Sequence, residues 1–290
     1  MKRQRPYRPG VAVAMQVIAM FSIQGGASLA KELFPIVGAQ GATALRLGFA
    51  ALLMVGFWRP WRRPSSRSAN WSILASGLAL GAMNLFFYLA IASIPQGIAV
   101  ALEFVGPLAV ASFGSKRLFD MIWVGCALVG VLFLLPDQNA VTNVNPTGLA
   151  FALAAGGCWA AYIVCGKKAV LSGIGSAVAY GTVAAAVLTV PFGLAQAGTS
   201  LFSIHIVPLA LAVAVLTSAI PYSLEMIALD RLSTREFGIL ASMEPALASI
   251  SGLWFLGEQL SHLQVAGIVA IMAAAAGAVG TRRSAAAMPA

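Results

Sequence analysis

Charged side chains are scarce in this sequence, and the residue types that build most enzyme centres are scarcer still. Only 9% of the 290 residues are Asp, Glu, Lys or Arg, against roughly 25% in a soluble domain, which excludes a water-soluble fold with an ordinary surface. The two histidines (His205 and His262) and three cysteines (Cys126, Cys158 and Cys165) lie far apart with no CxxC spacing. Neither a disulfide framework nor a zinc site is suggested, and no metal or cofactor is expected. No connection between apolar runs is long enough to hold a soluble domain, which excludes a nucleotide-binding motor. No dense group of His, Asp, Ser or Cys gathers at one end of those runs, as an integral-membrane enzyme acting on lipid-linked substrates needs. Nothing resembles the selectivity ring of a channel. Acids are half as common as bases, giving a net charge of +9. The bases come in short clusters between apolar spans, so no nucleic-acid partner is expected.

What the sequence has in abundance is hydrocarbon. It is 60% hydrophobic, with a mean hydropathy of +0.88, and long uncharged runs recur from Val11 onward. These are the marks of an all-α polytopic membrane protein embedded in a lipid bilayer. Ten spans near the ~20 residues needed to cross the hydrocarbon can be drawn. They are Val11–Ala30, Gly41–Trp58, Asn70–Ile94, Gly97–Gly114 and Met121–Leu135, then Thr147–Cys165, Ala177–Gln196, Ile206–Ala228, Phe237–Leu256 and Leu263–Gly280. The basic N-terminus followed by Val11–Ala30 resembles a signal peptide, but its apolar run exceeds the ~7–15 residues of an h-region. It is read as a retained first span.

The charges support this count independently. Sixteen of the eighteen Lys and Arg residues fall at the two termini or in the even-numbered connections. Only Lys31 (first connection) and Arg46 (inside span two) depart from the alternation. The positive-inside rule then places both termini in the cytoplasm. A shift of 138 residues lays Pro107-Leu-Ala-Val-Ala111 on Pro245-Ala-Leu-Ala-Ser249 and Phe87-Tyr-Leu-Ala90 on Glu225-Met-Ile-Ala228. Spans three and four thus match spans eight and nine. Five spans per repeat is odd, so the second half is expected upside down relative to the first. The expectation is ten transmembrane helices as two inverted five-helix repeats, residues 1–140 and 141–290, divided at the Asn-, Asp- and Pro-rich connection Pro136–Pro146. That is a secondary-transporter architecture, with the substrate site between the halves.

Several stretches also carry a family resemblance. They are Ser22-Ile-Gln-Gly-Gly-Ala-Ser-Leu-Ala-Lys31, Thr43-Ala-Leu-Arg-Leu47, Gly97-Ile-Ala-Val-Ala-Leu-Glu-Phe104 and Gly106-Pro-Leu-Ala-Val110. Further along come Pro221-Tyr-Ser-Leu-Glu-Met-Ile-Ala-Leu229, Ser242-Met-Glu-Pro-Ala-Leu247 and Phe255-Leu-Gly-Glu258. Together they resemble amino-acid exporters of the EamA branch of the drug/metabolite transporter superfamily, over nearly the whole chain. The resemblance implies export of threonine, homoserine or similar small amino acids across the bacterial inner membrane. It also implies protons as the exchanged ion. A broader metabolite or drug exporter of the same superfamily is the rival reading.

The polar residues inside the spans are the candidate site. A charge at the bilayer centre costs about 2.5–3.5 kcal/mol, so Arg46 and Glu103, at similar depths in spans two and four, should face the interior. Two readings are open for them. Either they form a static bridge, or a zwitterion competes for the pair, its carboxylate on the planar fork of Arg46 and its ammonium on Glu103. No arginine occupies the equivalent stretch of span seven, around Gly181–Thr182, so this chemistry belongs to the first half. Asn84 and Tyr88 share a face of span three at i, i+4 spacing, and Tyr222 falls opposite Asn84 in the repeat. Gln24 and Ser22 on span one, with Trp159 and Tyr162 on span six, complete a polar lining. Each of these is also an ordinary packing or interhelical hydrogen-bond residue. Glu244, just before Pro245, is a candidate proton-coupling or gating residue. Glu225 is another, with a surface pairing to Arg231 or Arg235 as its alternative.

Overall fold

The structure, a computed structural model, describes residues 9–62, 67–112, 118–134, 145–169, 173–221, 224, 240 and 242–286. Among the described residues every regular element is a helix. The first half contains α1 (Pro9–Ala30), α2 (Phe34–Trp58), α3 (Arg67–Ile91), α4 (Gln96–Glu103), α5 (Val105–Ser112) and α6 (Leu118–Leu134). The second contains α7 (Pro146–Ala169), α8 (Ile174–Ala197), α9 (Val207–Ala214), α10 (Glu244–Leu256) and α11 (His262–Ala286). The division expected between repeats falls on residues 135–144, outside the described residues, as do parts of spans eight and nine.

Among the described residues, four helical stretches are long and apolar enough to cross a membrane: Val13–Trp58, Asn70–Ile91, Pro146–Gly166 and Gly175–Phe202. The first, at 46 residues, would run about 69 Å if straight, more than twice the ~30 Å hydrocarbon layer. It must therefore reverse. The reversal is built from a 3-10 turn at Lys31–Leu33 and a break at Gly38, whose φ of 69° and ψ of 174° lie outside helical space. Glycine alone reaches that conformation readily. Ser22 and Arg46, on the two arms, bond the neighbouring carbonyls of Leu216 and Thr217, so both arms pack on the same stretch of the second half. Past the Gly38 break the helix of span two starts close to the Gly41 expected from hydropathy, while Phe34–Val37 belong to the reversal.

Span four is not one helix. It breaks at Phe104, between α4 and α5, and Pro107 explains where. Proline has no N–H to donate to the carbonyl four residues back, so the Glu103 carbonyl loses its helical partner. Gly156 on α7 approaches that carbonyl so closely that any Cβ there would lie 2.6 Å from it, and Gly106 abuts the Gly156 backbone in turn. Small residues allow such crossings in membranes, where packing rather than water drives helix association. Gly130 and Gly267 do the same between α6 and α11. Gly26 and Gly81 also sit at such contacts, whereas a Cβ at Gly25 or Gly157 would touch nothing within 4 Å.

The two halves pack on each other. α2 runs along α8, α6 along α11, and α4 against α10. α3 packs on α7 and α8, α7 on α4 and α5, and α1 on α9 and α10. Outward-facing positions carry large apolar side chains such as Leu52, Phe57, Leu132, Val187 and Trp254. In water so extensive an apolar surface would aggregate; against lipid it is the expected exterior.

Candidate functional site

Arg46 lies eight residues beyond the Gly38 break, about 12 Å along α2, and is buried. It faces the second half. Its Nη2 donates to the Thr217 carbonyl at 3.1 Å, and its guanidinium carbon sits 5.3 Å from the centroid of the Tyr88 ring. That distance is within cation–π range. Thr217 belongs to a π-helical turn, Val215–Ala219, that interrupts the helix after α9. Ser22 takes the Leu216 carbonyl of the same turn at 2.6 Å. Side chains from spans one and two thus bond carbonyls of this turn. Tyr88 is fully buried on α3, flanked by Phe34 and Phe87. Asn84, one turn earlier on the same face, is buried and turns its Nδ2 back to the Leu80 carbonyl at 2.8 Å.

Glu103 is the last residue of α4 and is buried at the Pro107 break. Arg46 is the charged group acting on it electrostatically, yet no ion pair within 4.0 Å joins them. The static bridge is therefore not formed in this structure. No hydrogen bond engages the Glu103 carboxylate among the described residues. Beside it, Trp159 of α7 stands edge-on to Phe104, with ring centroids 5.3 Å apart at 90°. The site so far is a guanidinium and a carboxyl group in one apolar interior, not in contact with each other.

Gln24 lies elsewhere. It joins a buried network at the end of the bundle where α1 finishes and α4 begins. Gln96 Nε2 donates to the Gln24 carbonyl at 2.9 Å and to Gln24 Oε1 at 3.0 Å. Ser28 and Ser251 hydroxyls meet at 2.8 Å, and Ser251 also donates to the Gln24 carbonyl at 3.1 Å. Glu258 closes the network. Its Oε2 accepts the Gln96 backbone N–H at 2.8 Å, and its Oε1 accepts Lys31 Nζ at 2.5 Å. The carboxylate thus caps the first turn of α4, where unpaired N–H groups and the helix dipole favour an anion. Spans one, four and nine are tied at one end by a single acid.

Glu244 opens α10 with Pro245 behind it and is buried. An acid in a first turn suits the helix dipole. Tyr222 and Glu225 lie outside the described residues. Sequence reasoning missed Gln96, Ser218 and the Lys31–Glu258 pair. A signal for the pair was present: Lys31 was the one base in an odd-numbered connection, and Glu258 follows span nine at the same end.

A model of the EamA-like transporter family matches residues 146–280. The chain is 53% identical over 271 residues to the threonine/homoserine exporter RhtA of Salmonella typhimurium strain LT2, covering 93% of this chain and 92% of that protein. It is 52% identical over the same length and shares to the threonine/homoserine exporter RhtA of Escherichia coli strain K12. One solved crystal structure, at 18% identity, superposes with a TM-score of 0.61 over 95% of this chain and 99% of its own. That likeness shows the fold alone.

Proposed function

This chain belongs to the EamA-like transporter family, and from that premise we propose that it is a secondary transporter exporting threonine, homoserine and similar small amino acids by alternating access. The observation that carries the reading is the buried Arg46, held beside Tyr88 with no acid at contact distance among the described residues, in a chain half identical to exporters of those amino acids. A zwitterion supplies what the interior lacks. Its carboxylate meets the guanidinium, whose planar fork suits two oxygens, and its ammonium meets Glu103. Asn84, Tyr88, Trp159 and, from beyond the described residues, Tyr222 line the path, and Gln24 holds one end.

The ten-helix, inverted-repeat arrangement belongs to this reading. It is supported by the reciprocity of the packing between halves. With spans numbered in order, contacts of two with seven, four with nine and five with ten map onto themselves when each span is exchanged for its counterpart. Contacts of three with six, four with six and three with seven map onto those of eight with one, nine with one and eight with two. A two-fold relation between halves produces that pattern. The alternating basic residues favour an inner-membrane orientation with both termini in the cytoplasm. The Lys31–Glu258 network then closes the outer side, and must open for release.

Proton exchange is the coupling we infer, with Glu244 as the carrier or gate and Glu225 as a second candidate. Glu244 is a buried acid at the start of a helix whose first turn holds Pro245. The test is efflux from vesicles reconstituted with the pure protein. Threonine and homoserine should leave faster than from empty vesicles, and faster with an inward-directed proton supply. No acceleration for any small amino acid would sink the reading.

A further inference from the structure

Three buried polar atoms, Arg46 Nε, Tyr88 Oη and Ser218 Oγ, make no hydrogen bond of good geometry among the described residues. The guanidinium lies over the Tyr88 ring and bonds the carbonyl of Thr217, the residue before Ser218. Tyr88 and Ser218 are both 0% exposed. A dry, unpaired polar group costs about 1–3 kcal/mol, and phenylalanine or alanine would fill the same space without that cost. Other buried hydroxyls nearby avoid it by bonding their own helix four residues back: Thr43 to Ala39, Thr182 to Val178, Thr189 to Ala185 and Thr217 to Val213. Ser218 does not take that default bond. It also sits in the π turn, a departure from α-helix that concentrates at functional sites.

We propose that Ser218 and Tyr88 are specificity-determining residues that read a side-chain hydroxyl on the transported amino acid, an inference resting on the export reading above. Threonine carries its hydroxyl on Cβ and homoserine on Cγ. Removing it from either gives the same molecule, 2-aminobutyrate. Two protein hydroxyls from different helices, beside the arginine that takes the carboxylate, can meet a hydroxyl on either carbon without moving the carboxylate. Each can donate or accept, so no fixed substrate geometry is demanded. A substrate without the hydroxyl leaves both groups unpaired, and that penalty, rather than size, does the discriminating. A pocket that measures size alone separates near-isosteres poorly, whereas one built to bond a hydroxyl rejects the analogue lacking it.

The test is transport of threonine, homoserine and 2-aminobutyrate, each alone, in vesicles holding the wild type, Ser218→Ala, Tyr88→Phe or the double variant. Folding of each protein is checked by size-exclusion profile. The wild type should move the two hydroxy amino acids at least about tenfold faster than 2-aminobutyrate at sub-saturating concentration. Each single variant should narrow that ratio about five- to tenfold, the loss of one such bond, and the double variant should remove the preference. A wild type that moves none of the three sinks the export reading itself. Equal transport of all three, or a preference left intact in both single variants, overturns the hydroxyl assignment while leaving export standing. For a variant silent toward all three, the ratio is read instead from thermal stabilisation by each amino acid, and an unchanged ratio there overturns the assignment too.

Discussion

Replacing Glu258 by glutamine keeps the shape of the side chain and one acceptor for the Gln96 N–H, but removes the charge that holds Lys31. The two side chains are only 18% and 13% exposed, so screening by water is partial. Charge-assisted hydrogen bonds contribute about 1.5–3 kcal/mol each, neutral ones about 1. Lys31 recovers some of its loss by extending toward water. A net weakening of about 2 kcal/mol follows, and at a factor of ten per 1.4 kcal/mol this shifts the closed-to-open equilibrium of that end about 30-fold. Amide exchange in lipid nanodiscs reads such an opening directly. Peptides covering α4 and the end of α10 should exchange about 10- to 30-fold faster in Glu258→Gln, while the α6–α11 contact stays protected. Lys31→Met should be milder, because Glu258 still caps the α4 N-terminus, where the helix dipole favours it. Unchanged exchange in Glu258→Gln, or a larger effect from Lys31→Met, would refute the latch.

Arg46→Lys keeps the charge but loses the fork, so the KM for threonine should rise about 10- to 100-fold, the value of one or two charge-assisted bonds. Arg46→Ala should abolish vesicle transport at normal protein levels. Glu103→Gln should likewise abolish it; full activity would reduce this acid to scaffolding. Gly156→Leu drives a side chain into the Glu103 carbonyl and should lower the thermal midpoint or prevent folding, overpacking costing about 1–3 kcal/mol or more. Gly157→Ala next door meets nothing within 4 Å and should leave the midpoint unchanged, so equal effects at the two glycines would contradict the crossing. Collapsing the proton gradient should slow threonine export, and indifference would favour facilitated diffusion.

Much of this was legible in the chain because a membrane makes each mistake expensive. A span without charges, a basic cluster after it and a lone arginine within it are each forced by the cost of polar groups in hydrocarbon. The helical class and the burial of Arg46, Glu103, Asn84 and Tyr88 could therefore be read from residue types alone. Partners could not. Pairing depends on which way a helix is turned, and the low charge content leaves few constraints on rotation. Gln24 illustrates this. It is polar and buried as expected, but it faces Gln96 and Ser251 rather than Arg46. The π turn at Val215–Ala219 had no sequence signal at all, since Val215-Leu-Thr-Ser-Ala219 is ordinary helix former by composition.

The weak internal repeat is informative where it fails. Pro107 and Pro245 align, and each lies near a helix start, but the acids beside them do not correspond. Glu103 precedes Pro107 by four residues, so its own carbonyl is the one released by the missing N–H, and Gly156 closes on it. Glu244 precedes Pro245 directly and instead occupies the first turn of α10, where a carboxylate is favoured by the helix dipole. One acid is therefore placed at a break in mid-span near an arginine, the other at a helix start. The same proline thus creates two different environments from two different offsets. The proposed reading, a zwitterion bound in one half and a proton moved through the other, uses that asymmetry. Pro107→Ala keeps the acid of the first half but returns an N–H to the Glu103 carbonyl, and should therefore slow threonine transport. Full transport in that variant would show that only the presence of an acid in span four matters, and not its place at the break.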